Sequence, residues 1–158
     1  PSITFVLPTS EKSKREEELN LGVEINNSFG YKVNDKISLS YLPRIAKNFN
    51  QYKTSRSNTV NTEYKLVQFY VANYALTDAF SAEAAVIYVD TWSYSGRRRS
   101  PSYLTNLELG FNVNKTVSMA VGTLHGGSIF DRENGPDETL EFYDKNATTL
   151  YGNFALRF

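Results

Sequence analysis

The sequence has no cysteine, one histidine and no long apolar run. The absence of cysteine excludes disulfide scaffolds, cysteine metal sites and thiol nucleophiles. The best apolar run, Ala84 to Val89, is far shorter than the roughly 18 residues that would predict a transmembrane helix. The 17 basic and 17 acidic residues cancel, so no global field favours nucleic acid as a partner.

The chain starts at Pro1 without a methionine. This start predicts a processed product whose targeting segment has been removed. A length of 158 residues predicts one domain, covering 1–158. The low mean hydropathy does not exclude a membrane barrel, because only every second residue of a barrel strand meets lipid.

The dominant sequence period is two, which predicts strands. Between Ser102 and Val113 the odd positions are mostly apolar, whereas the even positions are mostly polar. One face of such a strand is apolar, and its length suits a tilted crossing of a membrane. Eight segments are predicted as strands: Ser2–Leu7, Glu17–Phe29, Lys36–Ala46, Thr62–Leu76, Phe80–Tyr94, Ser102–Val113, Thr116–Gly127 and Ala147–Phe158.

The connections between these segments alternate between short and long. The short ones are Gly30–Asp35, Leu76–Ala79 and Asn112–Lys115, and the long ones are Pro8–Glu16, Asn48–Asn61, Ser95–Pro101 and Ile129–Asn146. Short periplasmic turns and longer outer loops are typical of barrels whose strands cross a bilayer up and down. An even strand number predicts that both termini are periplasmic.

The chain resembles the small OmpA/OmpX-type outer-membrane barrels over essentially its whole length. The C-terminal segment from Leu150 to Phe158 alternates apolar residues and ends in phenylalanine. The resemblance implies an all-β fold, an eight-stranded antiparallel up-and-down transmembrane β-barrel, in the outer membrane of a Gram-negative bacterium. It also implies that Phe154, Leu156 and Phe158 form the signal read by the outer-membrane assembly machinery.

The barrel hypothesis turns the polar positions inward. The charged residues predicted to line the lumen are Glu24, Lys36, Arg44, Glu83, Glu108 and Arg157. The lumen of an eight-stranded barrel is filled by its side chains, which predicts a plug. The alternative is a narrow ion pathway lined by the same groups.

Arg97, Arg98 and Arg99 lie in a predicted outer loop. Arginine matches phosphate geometry, so these residues are predicted to bind lipopolysaccharide or another anionic surface. The alternative is a solvated loop tip. The acidic and basic stretch from Glu11 to Glu18 is also predicted to be a solvated loop or strand end. No metal-ligand spacing is present, and no cofactor is predicted.

Three polar residues interrupt the predicted lipid-facing stripe: Gln68, Asp90 and His125. Polar groups facing lipid are destabilising in a depth-dependent way. Three explanations are open: the faces are misassigned, the residues lie at the membrane interface, or another protomer covers them. The third alternative predicts self-association or a protein partner along one wall.

His125 has a serine, Ser128, three residues later and carboxylates at Glu138 and Glu141. This set is similar to that of the outer-membrane lipid A deacylases, which are also eight-stranded barrels. A triad requires that the histidine activates the serine. A spacing of three puts the two side chains on opposite faces of a regular strand, unless a bulge at Gly126–Gly127 corrects the register.

These patterns favour a non-enzymatic outer-membrane barrel with a structural, anchoring or surface-presenting role. Its predicted partners are membrane lipid, lipopolysaccharide, the assembly machinery and further copies of itself. A lipid A deacylase is one alternative. A soluble, lipocalin-like carrier is another, with its apolar face lining an internal cavity.

Overall fold

The computed structural model describes residues 1–99, 101–114, 116–128, 130–131, 135–136 and 140–156. Strands account for 65% of the residues, and the strand pairs are antiparallel. The predicted all-β, antiparallel class is therefore confirmed.

Each predicted segment contains a strand. The strands are β1 (Ser2–Val6), β2 (Leu19–Asn26), β3 (Phe29–Lys32), β4 (Ile37–Asn50), β5 (Thr62–Ala75), β6 (Phe80–Ser93), β7 (Ser102–Asn112), β8 (Val117–Ser128), β9 (Phe130–Asp131), β10 (Gly135–Pro136) and β11 (Thr149–Leu156). Their bounds differ from the predicted ones: β4 extends beyond Ala46 to Asn50, and β3, β9 and β10 were not predicted as separate strands. The main sheet has the order β1-β2-β4-β5-β6-β7-β8-β11, with β3 paired to β4 and a separate β9–β10 pair. Among the described residues, the two end strands of this order, β1 and β11, are not paired with each other.

The predicted strand Glu17–Phe29 is shorter in the structure, because β2 ends at Asn26, and β3 begins at Phe29 and extends into the predicted turn Gly30–Asp35. Pro43 of β4 explains the break between β2 and β3. The register pairs Asn26 with Arg44, so Asn27 comes opposite Pro43. The Asn27 N–H donates to the Pro43 carbonyl at 3.0 Å. Proline has no N–H to return the second bond of this pair, and the ladder is interrupted there.

The three short turns have the same hydrogen-bond pattern. In each turn, one side-chain oxygen accepts hydrogen bonds from two backbone N–H groups that follow it in the chain. Asn34 Oδ1 accepts from Lys36 and Ile37, at 2.8 Å each. Thr77 Oγ1 and Asn114 Oδ1 do the same in the other two turns. Such side-chain acceptors explain why Asn and Thr mark these turns in the sequence.

The stretch predicted as a solvated loop between β1 and β2 contains a short π-helix, Lys12–Glu16. The Glu17 N–H closes it with a 2.9 Å bond to the Lys12 carbonyl. An Arg15–Glu11 ion pair at 3.0 Å spans its surface. Four of the five helical residues are exposed and Ser13 is half-buried, so the stretch is largely solvated as predicted although it is helical.

The contacts group the chain into two compact units. Unit 1 comprises Pro1–Ser28, Leu42–Gln68 and Val89–Pro101, and unit 2 comprises Phe29–Tyr41, Phe69–Tyr88 and Ser102–Phe158. In unit 1 the buried Asn61 amide donates to the carbonyls of Glu17 and Tyr52, at 3.0 Å each, and so joins the β4–β5 connection to the β1–β2 connection. Unit 2 contains the regular β7–β8–β11 ladder.

Burial in this chain is inverted relative to a soluble protein. Among the described residues, 27 large hydrophobic side chains are exposed and only Ala85 and Tyr103 form an apolar core. The buried polar or charged residues are Ser55, Asn61, Asp90, Ser93, Thr105 and His125.

On β7, β8 and β11 the exposed apolar residues alternate with a second set of residues, which is mostly polar, as predicted. We call these two sides the apolar face (Leu107, Leu109, Val121, Leu150) and the polar face (Asn106, Glu108, Gly122, Tyr151).

Candidate functional site

Residues 140–148, which we call the strap, lie against the apolar face of β7 and β8 within unit 2. The Thr105 hydroxyl donates to the Glu141 carbonyl at 2.9 Å, and the Glu141 N–H donates to the Tyr103 hydroxyl at 3.3 Å. Thr148 Oγ1 lies 3.4 Å from His125 Nδ1. The strap thereby covers Thr105, which is 1% exposed, and His125, which is 4% exposed.

His125 faces a carboxylate as well as a hydroxyl. Its Nε2 lies 3.8 Å from Glu141 Oε2, and its ring centroid lies 6.1 Å from that of Tyr103. The imidazole is almost fully buried, whereas the Glu141 side chain is 57% exposed. The pair therefore joins a buried donor to a carboxylate that remains open to the surroundings.

A turn at the end of the strap sets the position of Thr148. The Asp144 carboxylate accepts the N–H groups of Asn146 at 2.7 Å and Ala147 at 2.9 Å. The Asp144 N–H donates to Thr148 Oγ1 at 2.7 Å. An aspartate that bonds the backbone two and three residues later is a common turn former, so this part of the strap is locally encoded.

Tyr103 reaches the strap because Gly127, its partner on β8, has no side chain. A Cβ built at Gly127 would lie only 2.6 Å from the Tyr103 hydroxyl oxygen. The ring therefore lies over the glycine backbone. Gly127 is required here for close approach rather than for backbone conformation.

An apolar groove of about 470 Å³ contains one strap residue, Phe142, among its lining. Its other lining includes the rings of Phe29, Tyr41 and Tyr70, which stack in sequence at 6.1 and 5.0 Å between centroids. The lining also includes three small residues of β5 and β6: Ala72, Ala84 and Val86. All of these residues belong to unit 2.

The proposed serine partner of His125 lies on the other side of the strand. The β7–β8 register runs without a shift from Thr105 opposite His125 to Ser102 opposite Ser128. The bulge at Gly126–Gly127 that would bring Ser128 to the face of His125 is therefore absent from this ladder. The hydroxyl that does face the imidazole belongs to Thr148.

Two of the three residues that interrupt the predicted lipid-facing stripe are covered by other parts of the chain. Asp90 and His125 are 5% and 4% exposed. Asp90 is covered because Arg98 pairs with it at 2.6 Å, and His125 is covered by the strap. Gln68 is half-buried. The predicted protein contact through these three residues stays a prediction.

The three loop arginines form the return arm of a hairpin that continues β6. Thr91 O accepts from the Arg99 N–H at 2.9 Å, and Trp92 bridges to Arg98. The Arg98 side chain bonds Asp90, and the Arg99 guanidinium donates to the Val60 carbonyl. Arg97 is exposed. Two of the three side chains are thus already engaged with the protein, and phosphate binding stays a prediction.

The residues predicted to line a lumen fall on both units. In unit 1, Glu24 and Arg44 line a polar pocket of about 520 Å³ together with Asn26. In unit 2, Glu108 accepts a 2.8 Å bond from the Tyr151 hydroxyl, and Glu83 and Glu108 both line one groove. Lys36 is exposed in the turn before β4. Arg157 lies outside the described residues.

Tyr151 lies over Gly122 on the polar face, just as Tyr103 lies over Gly127 on the apolar face. A Cβ at Gly122 would lie 2.5 Å from the Tyr151 hydroxyl oxygen and 2.8 Å from the Leu107 carbonyl. The hydroxyl also contacts Asn106 Oδ1 at 2.7 Å. One side chain from β11 therefore links three strands across the polar face.

Phe154 and Leu156 of the predicted assembly signal are exposed on β11. They pair with Met119 and Val117 on the apolar face of β8. Phe158 lies outside the described residues, as does Glu138. Recognition by the assembly machinery stays a prediction.

Within the described ranges, no helix has the length and apolar character of a membrane span. The same residues contain no cluster of three or more histidine, aspartate or glutamate side chains that would hold a metal ion.

The sequence singled out His125 and Glu141, but it missed Thr105, Phe142 and Thr148. Asp144, which forms the turn before Thr148, is the sequence feature that could have identified Thr148. Phe142 could have been identified only as the neighbour of Glu141.

Comparison with protein-family models, with curated proteins and with solved structures found no match to this chain.

Proposed function

We propose that this chain is an integral outer-membrane β-barrel whose sheet closes between β1 and β11 and whose apolar face meets lipid. The observation that carries the proposal is the inverted burial, with 27 large apolar side chains exposed and polar groups buried among the described residues. Soluble monomers rarely expose extensive contiguous apolar surface. A soluble carrier would turn these side chains towards an internal cavity, so the exposed apolar face favours the membrane barrel.

The length of the apolar face supports the same placement. From Tyr103 to Val113, β7 and its turn rise about 33 Å along the strand, at about 3.3 Å per residue. At a tilt of about 40° this corresponds to a height of about 25 Å, which is the height of the apolar band of such barrels. Thr105 and His125 then lie just inside the outer boundary of the band, where their polar groups are held by the strap.

The role of the barrel in this proposal is structural: it anchors the chain and presents its long connections outside. Hydrogen bonds hold the connections of unit 1 in place, which supports this role. Asn50 and Asn61 both donate to the Glu17 carbonyl, at 2.8 and 3.0 Å. Arg56 pairs with Glu18 at 2.9 Å in the same region. Lipopolysaccharide, the assembly machinery and further copies of the chain are its proposed partners, and polar side chains plug its lumen.

The test is the detergent dependence of the folded chain, combined with its gel mobility before and after boiling. The proposal predicts a folded species that requires detergent or lipid and changes mobility on heating. Multimer bands in the unboiled sample would support self-association. A chain that stays folded and monodisperse in buffer without detergent would contradict the proposal.

A hydrolase related in kind to the lipid A deacylases is a second candidate. It is favoured by the His125–Glu141 approach of 3.8 Å and by the Thr148 hydroxyl 3.4 Å from the same imidazole. The position of Ser128 on the opposite side of β8 does not favour it. Release of an acyl chain from lipid A by the wild type, lost in His125→Ala and Thr148→Ala but kept in Ser128→Ala, would support an enzyme with Thr148 as its hydroxyl. No release by the wild type would contradict it.

A further inference from the structure

We propose that the strap is a tethered pseudo-ligand, and that the place it occupies binds an anionic single-chain amphiphile of the long-chain fatty-acid class. Two adjacent strap residues carry the argument. Glu141 brings a carboxylate to His125, and Phe142 brings an apolar ring to the groove. Together they have the chemistry of an anionic head followed by an apolar tail. The proposal rests on the proposed function, because that function brings the groove into contact with lipid.

The head position is built from buried donors. The Thr105 hydroxyl, which is 1% exposed, donates to a strap carbonyl, and the Tyr103 hydroxyl receives the Glu141 N–H. His125 Nε2 faces the Glu141 carboxylate at 3.8 Å. These are the groups that hold a carboxylate through hydrogen bonds and charge. Because the Glu141 side chain is 57% exposed, a carboxylate from outside can take its place without crossing the protein interior.

The tail position is longer than the ring that occupies part of it. The lining comes from β3, β4, β5 and β6, as well as from Phe142. Four neighbouring strands span three spacings, or about 14 Å. A phenylalanine ring fills only part of such a length. Since Glu141 is held to β7, the neighbour of β6, Phe142 reaches the groove from its β6 side and leaves the side of β3 for a longer chain.

The lining of the groove selects for an unbranched apolar chain. Ala72, Ala84 and Val86 are small, whereas Tyr41 and Tyr70 form a stacked wall with 5.0 Å between their ring centroids. Small residues beside a rigid aromatic wall suit an acyl chain, which gains by apolar burial and needs no hydrogen bond. The occupant is therefore apolar along the groove and anionic only at its end near His125.

Competition with the strap gives the proposal a measurable consequence. A bound strap reduces the fraction of molecules that can accept the ligand, and it weakens apparent affinity by that fraction. Phe142→Ala removes the tethered tail and is expected to raise the affinity for palmitate several-fold. Val86→Trp fills the groove and is expected to lower it about tenfold. Ala82→Trp is the matched control, since Ala82 lines a neighbouring groove but not this one.

The experiment measures binding of palmitate and of its methyl ester to the detergent-solubilised chain and to these three variants. Preference for the acid over the ester, lost in His125→Gln, would support the head position. Equal binding of acid and ester would overturn the proposal, as would equal effects of Val86→Trp and Ala82→Trp or weaker binding by Phe142→Ala.

A second measurement tests the proposal even if the groove variants misfold. The chain has no cysteine, so a spin label at Tyr143→Cys reports on the strap alone. Palmitate is expected to mobilise this label in an otherwise wild-type chain, and an unchanged spectrum at saturating palmitate would overturn the proposal. Heat-modified mobility, measured on the same preparation, tests the membrane barrel separately, so a failure of the ligand proposal can be distinguished from a failure of the proposed function.

Discussion

The apolar face of β7 and β8 has two regions that differ sharply within a few residues of the same strands. In the bare region, Leu107, Leu109 and Val121 are exposed, at 42%, 56% and 57%. In the strapped region, Thr105 and His125 are polar and almost fully buried. A soluble protein would cover the leucines and leave the polar groups open. In the proposed membrane barrel, lipid covers the bare region, whereas the strap shields the polar groups from it.

The bare region gives the largest expected effect. Leu109→Lys places a charge in the proposed hydrocarbon band, where a lysine or arginine costs about 2–4 kcal/mol at the midplane. The measurement is urea unfolding of the chain in lipid vesicles. Asn112→Lys is the control, because Asn112 is an exposed polar residue at the end of the same strand. Equal stability of the two variants would contradict a lipid-facing Leu109.

The strapped region is expected to be sensitive to added volume. In Gly127→Ala the new methyl would meet the Tyr103 ring at 2.6–2.8 Å, and overpacking of this kind costs about 1–3 kcal/mol. The displaced ring would also release the Glu141 N–H. Gly152→Ala on β11 is the control, since its nearest neighbour would be the Ala120 carbonyl at 3.8 Å. If both variants unfold at the same urea concentration, Tyr103 does not lie against Gly127.

The Thr105 hydroxyl is the next test of the same region. Thr105→Val keeps the shape but leaves the Glu141 carbonyl without its 2.9 Å donor, and the loss of one hydrogen bond costs about 0.5–1.5 kcal/mol. Thr105→Ser keeps the hydroxyl and is expected to stay closer to the wild type. The strap should become more mobile in the valine variant alone, as reported by a label at Tyr143→Cys. Identical label spectra for valine and serine would show that this bond does not hold the strap.

The smallest effect is expected in unit 1, at the surface pair between Arg56 and Glu18. The pair is 2.9 Å apart, and the Arg56 side chain is 70% exposed. Exposed ion pairs contribute about 0–1 kcal/mol, so Arg56→Ala should hardly change the unfolding midpoint. Arg15→Ala, which breaks the pair with Glu11, is the control with both partners exposed. A loss as large as that of Leu109→Lys would mean that the outer connections, not the apolar face, dominate stability.

The period of two was sufficient to predict the main strands, because each face of a strand is written into alternate residues. The same reasoning missed the break opposite Pro43, which depends on a proline in the neighbouring strand rather than on the residues of Glu17–Phe29. It also missed the strap, since an irregular segment has no period. Its position is set by contacts between Glu141 and residues 36 and 38 positions earlier in the chain.

The sequence analysis named Glu141, which faces His125 at 3.8 Å, but it did not name Thr148, whose hydroxyl lies 3.4 Å from the imidazole. The spacing rule correctly separated Ser128 from His125, and the regular ladder left no bulge to reunite them. Alternation alone could not tell that Asp90 and His125 would be covered. Their shielding comes from Arg98 and from the strap, both of which return to the strands from long connections.

The most direct test of the central claim is the contact of successive β7 residues with lipid. Single cysteines at positions 106 to 109, each carrying a fluorophore, would be compared in vesicles of ordinary and brominated phospholipid. The account predicts strong quenching at Leu107→Cys and Leu109→Cys and weak quenching at Asn106→Cys and Glu108→Cys. Uniform quenching, or stronger quenching at the even positions, would contradict the proposal that the apolar face of this sheet is the surface in contact with the membrane.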